Sequence, residues 1–136
     1  NVNEIAMSKS FIDLGNAISR LIEGIEKYNN CLDENKVMFR DACIQRFEFA
    51  IELYWKVLKK ILLTRDIRVD FARDAFRKAF QQSLIDDEVV WLAMLDARNN
   101  LSHNYQELLA QDHFEEIKTF CIVMKNNYEK LKKVSL

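Results

Sequence analysis

The stretch F-E-F-A-I-E-L-Y-W-K-V-L-K-K-I, residues 47–61, decides the fold. Its apolar residues Phe47, Ile51, Tyr54, Leu58 and Ile61 recur at steps of 4, 3, 4 and 3. That spacing lays one apolar stripe along one face of an α-helix, whereas a half-buried strand would alternate at every second residue. The same rhythm runs upstream through Phe11, Leu14, Ile18, Leu21, Ile25 and Tyr28, and downstream through Ile117, Cys121, Met124, Tyr128 and Leu131. Sustained 3-4 spacing favours packing at shallow crossing angles, and a single such helix is marginal in water, so the three stripes must bury against one another. The expectation is an all-α fold, an antiparallel up-and-down bundle of four to five helices.

Composition narrows the alternatives. The chain has 136 residues, 49% of them hydrophobic and 30% charged, the balance of a folded protein with one sizeable core. One domain over residues 1–136 is expected. There are two Gly and no Pro, where average usage would give roughly nine and seven. Tight turns are therefore scarce, which disfavours many-stranded β folds. Gly15 and Gly24 stand nine residues apart inside an apolar-periodic segment, so no glycine-rich phosphate loop exists. The net charge of −1 argues against a generic nucleic-acid coat. The longest apolar run, Val89 to Leu95, is seven residues, far short of the roughly 20 that span a bilayer. The first ten residues hold no apolar signal region. Cys31, Cys43 and Cys121 are odd in number and widely spaced, and read as reduced core thiols of a cytoplasmic protein.

Polar clusters mark the breaks. Residues 28–35 are expected to form a loop, and residues 64–70 a connector, with Asp70 as N-cap of a third helix through Gln82. Residues 83–86 lead to a fourth helix capped by Asp86, and Asp112 with Glu115 has the capping-box spacing that would open the last helix.

Charge is uneven. Eight basic residues lie between Lys56 and Lys78, and eight acidic ones against Arg98 alone between Asp86 and Glu116. Both runs fit solvated helix faces; the sharper reading is a basic surface for phosphate or RNA and an acidic one for a protein. Trp55 and Trp91 could stack bases, but their helical spacing favours core or dimer packing; Phe47, Phe76 and Phe80 are expected in the core, with Met94 and Met124 filling gaps. His113 is expected to be an exposed residue of the last helix's first turn.

The segment that carries chemistry is W-L-A-M-L-D-A-R-N-N-L-S-H-N-Y, residues 91–105. On a straight helix Arg98 and His103 would point about 140° apart and could not serve one site. Asn99 and Asn100 favour leaving the helix, because amide side chains compete for backbone hydrogen bonds, and Ser102 can cap a new turn. Such a bend would swing His103 back beside Arg98. A fixed cation, an imidazole titrating near neutrality and the Tyr105 phenol then make a set able to handle a phosphodiester. A surface Arg and a capping His account for the same spacing.

R-N-N-L-S-H-N-Y resembles the R-x4-H-x-Y signature of the HEPN superfamily. The flanking blocks F-E-F-A-I-E-L-Y-W-K-V-L-K-K from Phe47 and A-F-R-K-A-F-Q-Q-S-L-I-D-D-E-V-V-W-L-A-M-L-D from Ala75 resemble its nucleotidyltransferase substrate-binding, or HepT-like, branch. The resemblance spans roughly Phe11 to Leu131 and shows no departure at Arg98, Asn99, His103 or Tyr105. It implies a bundle that forms a homodimer with the motif at the interface, and a cognate minimal nucleotidyltransferase as antitoxin. It implies an RNase toxin with Arg98 and His103 catalytic, Asn99 supporting and Tyr105 modified by AMP. No cofactor and no metal is implied. The chemistry agrees: metal-independent RNA cleavage needs a base, an acid and a fixed positive charge, and two copies would supply two His and two Arg. Two other readings stay open, a non-catalytic accessory subunit that presents substrate to a nucleotidyltransferase, and a plain dimerisation bundle.

Overall fold

A computed structural model describes the backbone of residues 8–103 and 107–134, and the side chains of residues 8–101 and 114–134. Five helices follow one another: α1 Lys9–Asn30, α2 Lys36–Thr64, α3 Ala72–Gln81, α4 Glu88–His103 and α5 Glu107–Leu131. No strand occurs among the described residues. The helix-period expectation is met where it was most specific. Phe47, Ile51, Tyr54, Leu58 and Ile61 are all fully buried, as are Phe11, Leu14, Ile18 and Leu21 on α1 and Ile117, Met124 and Leu131 on α5.

Cross-contacts fix the directions. Ser10 meets Lys60 and the Arg20 carbonyl meets Arg46, so α1 and α2 run antiparallel. Phe11 stacks on Tyr128 while Tyr28 packs on Phe114, so α5 runs back along α1. Tyr54 meets Trp91 and Glu52 meets Arg98, which sets α4 antiparallel to α2. Packed against each of the other four helices, α2 is the axis of the bundle.

Without proline and with two glycines, the chain ends helices by other means. After α2, Asp66 takes φ 60°. There the Ile67 N–H donates to the Leu62 carbonyl at 3.0 Å and the Asp66 N–H to that of Leu63 at 3.0 Å. Ser83 does the same after α3, also at φ 60°, with the Leu84 N–H on the Ala79 carbonyl at 2.8 Å. Both are six-residue C-terminal closures with Asp or Ser where glycine is usual. The glycines serve close packing instead. A Cβ on Gly15 would lie 2.3 Å from the Tyr128 hydroxyl oxygen. Gly15 thus admits the Tyr128 ring, whose hydroxyl donates to the Phe11 carbonyl at 3.1 Å.

Several boundaries differ from expectation. Tyr28 is a buried residue of α1, which continues to Asn30, so the first loop is shorter. Phe71, not Asp70, occupies the N-cap position of α3, with no side-chain hydrogen bond; Asp70 pairs with Arg68 instead. Asp87, not Asp86, caps α4: its Oδ1 accepts from the Val89 and Val90 N–H groups at 3.0 and 3.3 Å. Asp86 instead pairs with Lys130 on α5. Helix α5 is already formed at Glu107, so Asp112 and Glu115 do not open it. Phe80 is 42% exposed on the outer face of α3 and is not a core residue.

Among the thiols, Cys43 and Cys121 are buried and Cys31 is only partly covered, so Cys31 is not a core thiol. Burial pushes both Cys43 and Cys121 up to about 11, so they stay protonated and unreactive at neutral pH. Native iodoacetamide treatment followed by peptide mass mapping is expected to alkylate Cys31 and leave the other two intact. Modification of Cys43 at a comparable rate would contradict its place in the core.

Candidate active site around Arg98

Arg98 stands seven residues after Trp91, two helical turns along the same face of α4. Trp91 is fully buried against Tyr54 of α2 and Phe76 of α3. Met94 and Leu95 continue the buried face. Arg98 therefore leaves α4 toward α2, where the bundle opens, and its Nη1 donates to Glu52 Oε2. Its Nε and Nη2 both donate to Asn99 Oδ1, at 3.2 and 3.1 Å. The guanidinium is held on two sides and its side chain stays 23% exposed. Burial opposes ionisation of Glu52, but the Trp55 indole N–H together with Arg98 and Lys56 outweighs it and holds the carboxyl below its ordinary range. The result is a permanent cation anchored at the edge of the core and still partly open to solvent.

The expected kink is not there. Helix α4 runs unbroken from Glu88 through His103, across Asn99, Asn100 and Ser102. The reason lies in Asn99: its amide oxygen is taken by Arg98, so it does not compete for the backbone, and buried Leu101 anchors the next turn. The straight-helix geometry thus applies, with positions 98 and 103 about 140° apart around the axis and about 7.5 Å apart along it. The backbone of His103 closes α4, while its side chain, like that of His113, lies outside the described residues. Tyr105 lies outside them altogether. The structure brings together Arg98 and Asn99, and adds Glu52, to which the sequence reading gave no role. Its signal was faint: an acid one turn before Lys56, in a helix whose buried face is apolar from Cys43 to Leu62.

The charge runs are largely tied within the fold. Arg73 pairs with Asp96 at 2.6 Å, joining the basic and acidic segments directly. Asp86 is held by Lys130, Asp87 caps α4, and Glu115 pairs with Lys118 at 3.4 Å. Asp86, Asp96 and Glu115 are therefore each met by a cation within the fold, which lessens their opposition to a polyanion. Trp91 is core, and partly buried Trp55 packs against the core beneath Lys59. Among the described residues no three His, Cys, Asp or Glu side chains gather closely enough to hold a metal ion. No described helix is long and apolar enough to cross a membrane.

The sequence model of the family described as nucleotidyltransferase substrate binding protein like matches residues 9–133. A probable ribonuclease HepT of Haemophilus influenzae is 36% identical over 86 residues, covering 60% of this chain and 59% of that protein. The match thus spans less than two thirds of the relative's length. A solved Haemophilus influenzae structure, described as the fold of a substrate binding domain of a nucleotidyltransferase, superposes with a TM-score of 0.79 at 26% identity. The alignment covers 90% of this chain and 98% of that one. A Thermus thermophilus protein gives a TM-score of 0.74 at 27% identity, over 87% and 98% of the two chains. A tri-AMPylated HEPN toxin of Shewanella oneidensis, solved in complex with its MNT antitoxin, shares the fold with a TM-score of 0.63 at 23% identity, over 88% and 98%.

Proposed function

We propose that this chain, which belongs to the nucleotidyltransferase substrate binding protein like family, falls in a HepT-like HEPN branch of it and is a metal-independent endoribonuclease toxin. Residues 1–136 act as one HEPN unit, a cytoplasmic homodimer paired with a cognate minimal nucleotidyltransferase. That enzyme silences the toxin by transferring AMP to Tyr105. The observation that carries the reading is the clamped Arg98, a guanidinium oriented by Glu52 and Asn99 rather than left to wander in solvent.

The mechanism follows from proton balance. The RNA 2′-oxygen attacks its neighbouring phosphorus, a P–O2′ bond forms and the P–O5′ bond breaks, leaving a 2′,3′-cyclic phosphate. The His103 imidazole of one copy takes the 2′-hydroxyl proton, and the imidazolium of the second copy gives one to the departing 5′-oxygen. Arg98 places fixed positive charge on the phosphoryl oxygens as negative charge gathers there. Because α4 is straight, one chain does not aim positions 98 and 103 at a common point, and the site is completed by a second copy across a two-fold axis. An AMP on Tyr105, two residues from His103, would set bulk and negative charge where the substrate phosphate must sit.

The unbroken helix equally favours a second reading, a non-catalytic accessory subunit that presents substrate to the nucleotidyltransferase. One pair of assays separates them. The ribonuclease reading expects the purified chain to cut RNA in EDTA and His103→Ala to be inert. It also expects co-expression with the nucleotidyltransferase to add AMP mass that Tyr105→Phe loses. Equal cutting by wild type and His103→Ala, or no cutting of tRNA or mRNA by either, contradicts it. A complex that transfers nucleotide only when this chain is present, with no growth arrest from the chain alone, is the accessory-subunit outcome.

A further inference from the structure

A second cleft lies on the outer face of the α1–α2 pair, about 400 Å³ in volume and lined by Ala17, Arg20, Gln45, Arg46 and Phe49. We propose that this cleft holds one nucleotide unit of the RNA, its phosphate on Arg20 and Arg46 and its base stacked on Phe49. The assignment rests on the ribonuclease reading for its choice of RNA.

Three observations carry it. Phe49 is 60% exposed at the mouth of the cleft, an aromatic face left in water beside two guanidinium groups. Arg46 is fixed in place: its Nη1 donates to the Arg20 carbonyl at 2.7 Å, which leaves its other N–H donors available. Gly24 makes the seat, since a Cβ there would lie 3.1 Å from Arg46 Nη1. A mid-helix glycine costs about 1 kcal/mol relative to alanine, and this one admits the guanidinium, along with Cys43, across α1. Among the described residues neither arginine has a carboxylate within salt-bridge distance. Glu23, whose carboxyl the pair helps to hold below its ordinary range, is engaged first by Lys27 at 3.2 Å.

The cleft lies about one helical turn from the candidate site along α2. Gln45, Phe49, Glu52 and Lys56 recur at steps of 4, 3 and 4 along α2 and share one face. Glu52, the seat of Arg98, lies about 4.5 Å along the axis beyond Phe49. A strand whose scissile phosphate sits at Arg98 would thus run on toward Arg20 and Arg46. Two cations, an aromatic plane and one amide suit phosphate, base face and base edge together, the usual composition of a single-strand platform.

The test is binding, separated from cleavage. A fluorescein-labelled 2′-O-methyl oligouridine lacks the attacking hydroxyl, so its anisotropy reports affinity alone. Arg20→Ala and Phe49→Ala are each expected to weaken binding about tenfold or more, with Phe49→Tyr close to wild type. Losing the phosphate contact in Arg20→Ala should also flatten the dependence of log K on log salt by about 0.7. Both positions are exposed, and thermal melts of the variants check that the bundle is intact; Arg46→Lys, which keeps charge without the bridge, should fall between. Variants that bind as tightly as wild type overturn the proposal, and so does a wild type that does not bind the oligonucleotide. AMP binding as tightly as the oligonucleotide and lost in the same variants would assign the cleft to free nucleotide and overturn the RNA assignment. If wild type cuts RNA while the variants bind normally, the cleft falls and the ribonuclease stands. If wild type never cuts but the variants lose binding, the cleft stands and the ribonuclease falls.

Discussion

Wild-type chain mixed with a threefold excess of His103→Ala and allowed to exchange subunits is expected to cleave RNA at about one-sixteenth the rate of the same total of wild-type protein. The figure follows from a shared site. If cleavage needs one imidazole as base and the other as acid, only dimers with two intact copies work, and their share is the square of the wild-type fraction. Independent sites, each complete within one chain, would instead give about one quarter, the wild-type fraction itself. Each single variant should be at least about a hundredfold slower than wild type, the usual worth of a positioned proton-transfer group or of a donor fixed on developing charge. Arg98→Ala should match His103→Ala in rate, but it also leaves the Glu52 carboxylate, at a partly buried edge, with Lys56 as its remaining cation. Quantified product formation in EDTA, with subunit exchange confirmed by native mass spectrometry, reads the ratio. A value near one quarter would place base and acid in one chain and remove the reason given for dimerisation.

What the sequence disclosed follows from the range of the forces involved. The stripes on α1, α2 and α5 were legible because burial of a helix face repeats along the chain, and repetition over several turns survives local noise. The caps were less so. Asp70 pairs with Arg68 and does not cap α3, and of the adjacent acids Asp86 and Asp87 the first is engaged by Lys130, which leaves the second to take the free N–H groups of α4; neither outcome is visible before the partners are in place. The supposed break at Asn99 and Asn100 was a judgement from intrinsic preference, and a contact with Arg98 reversed it. The contact between Arg98 and Asn99 is local, between neighbours in the motif. Glu52 was not legible, since it lies 46 residues away and meets Arg98 only through the packing of α2 on α4. Gly24 and Arg46 likewise become a pair only once α1 and α2 are laid side by side.

That packing has a single point on which both the fold and the site turn. Trp91 is fully buried, with its ring 4.5 Å from Tyr54 and 5.3 Å from Phe76. Tyr54 in turn donates its hydroxyl to the Met124 carbonyl of α5 at 3.0 Å. One indole therefore links α4 to α2 and α3 directly, and to α5 through a neighbour. Trp91→Ala is expected to cost about 3–5 kcal/mol, because the vacated volume lies among rings that cannot collapse into it. Against a total stability of about 5–15 kcal/mol this is a large share, and the melting temperature should drop by roughly 10–20 °C. Val89→Ala on the same helix, at a position 76% exposed, should stay within about 0.5 kcal/mol of wild type. Urea unfolding followed by circular dichroism distinguishes the two, the midpoint moving for Trp91 and not for Val89. A Trp91→Ala protein that unfolds with wild type would mean that α4 is held by something other than this ring. The consequence reaches the site, since Arg98 sits two turns further along the face that Trp91 buries. Any rotation that let α4 refill the cavity would turn the guanidinium away from Glu52, so cleavage should fall even well below the melting transition.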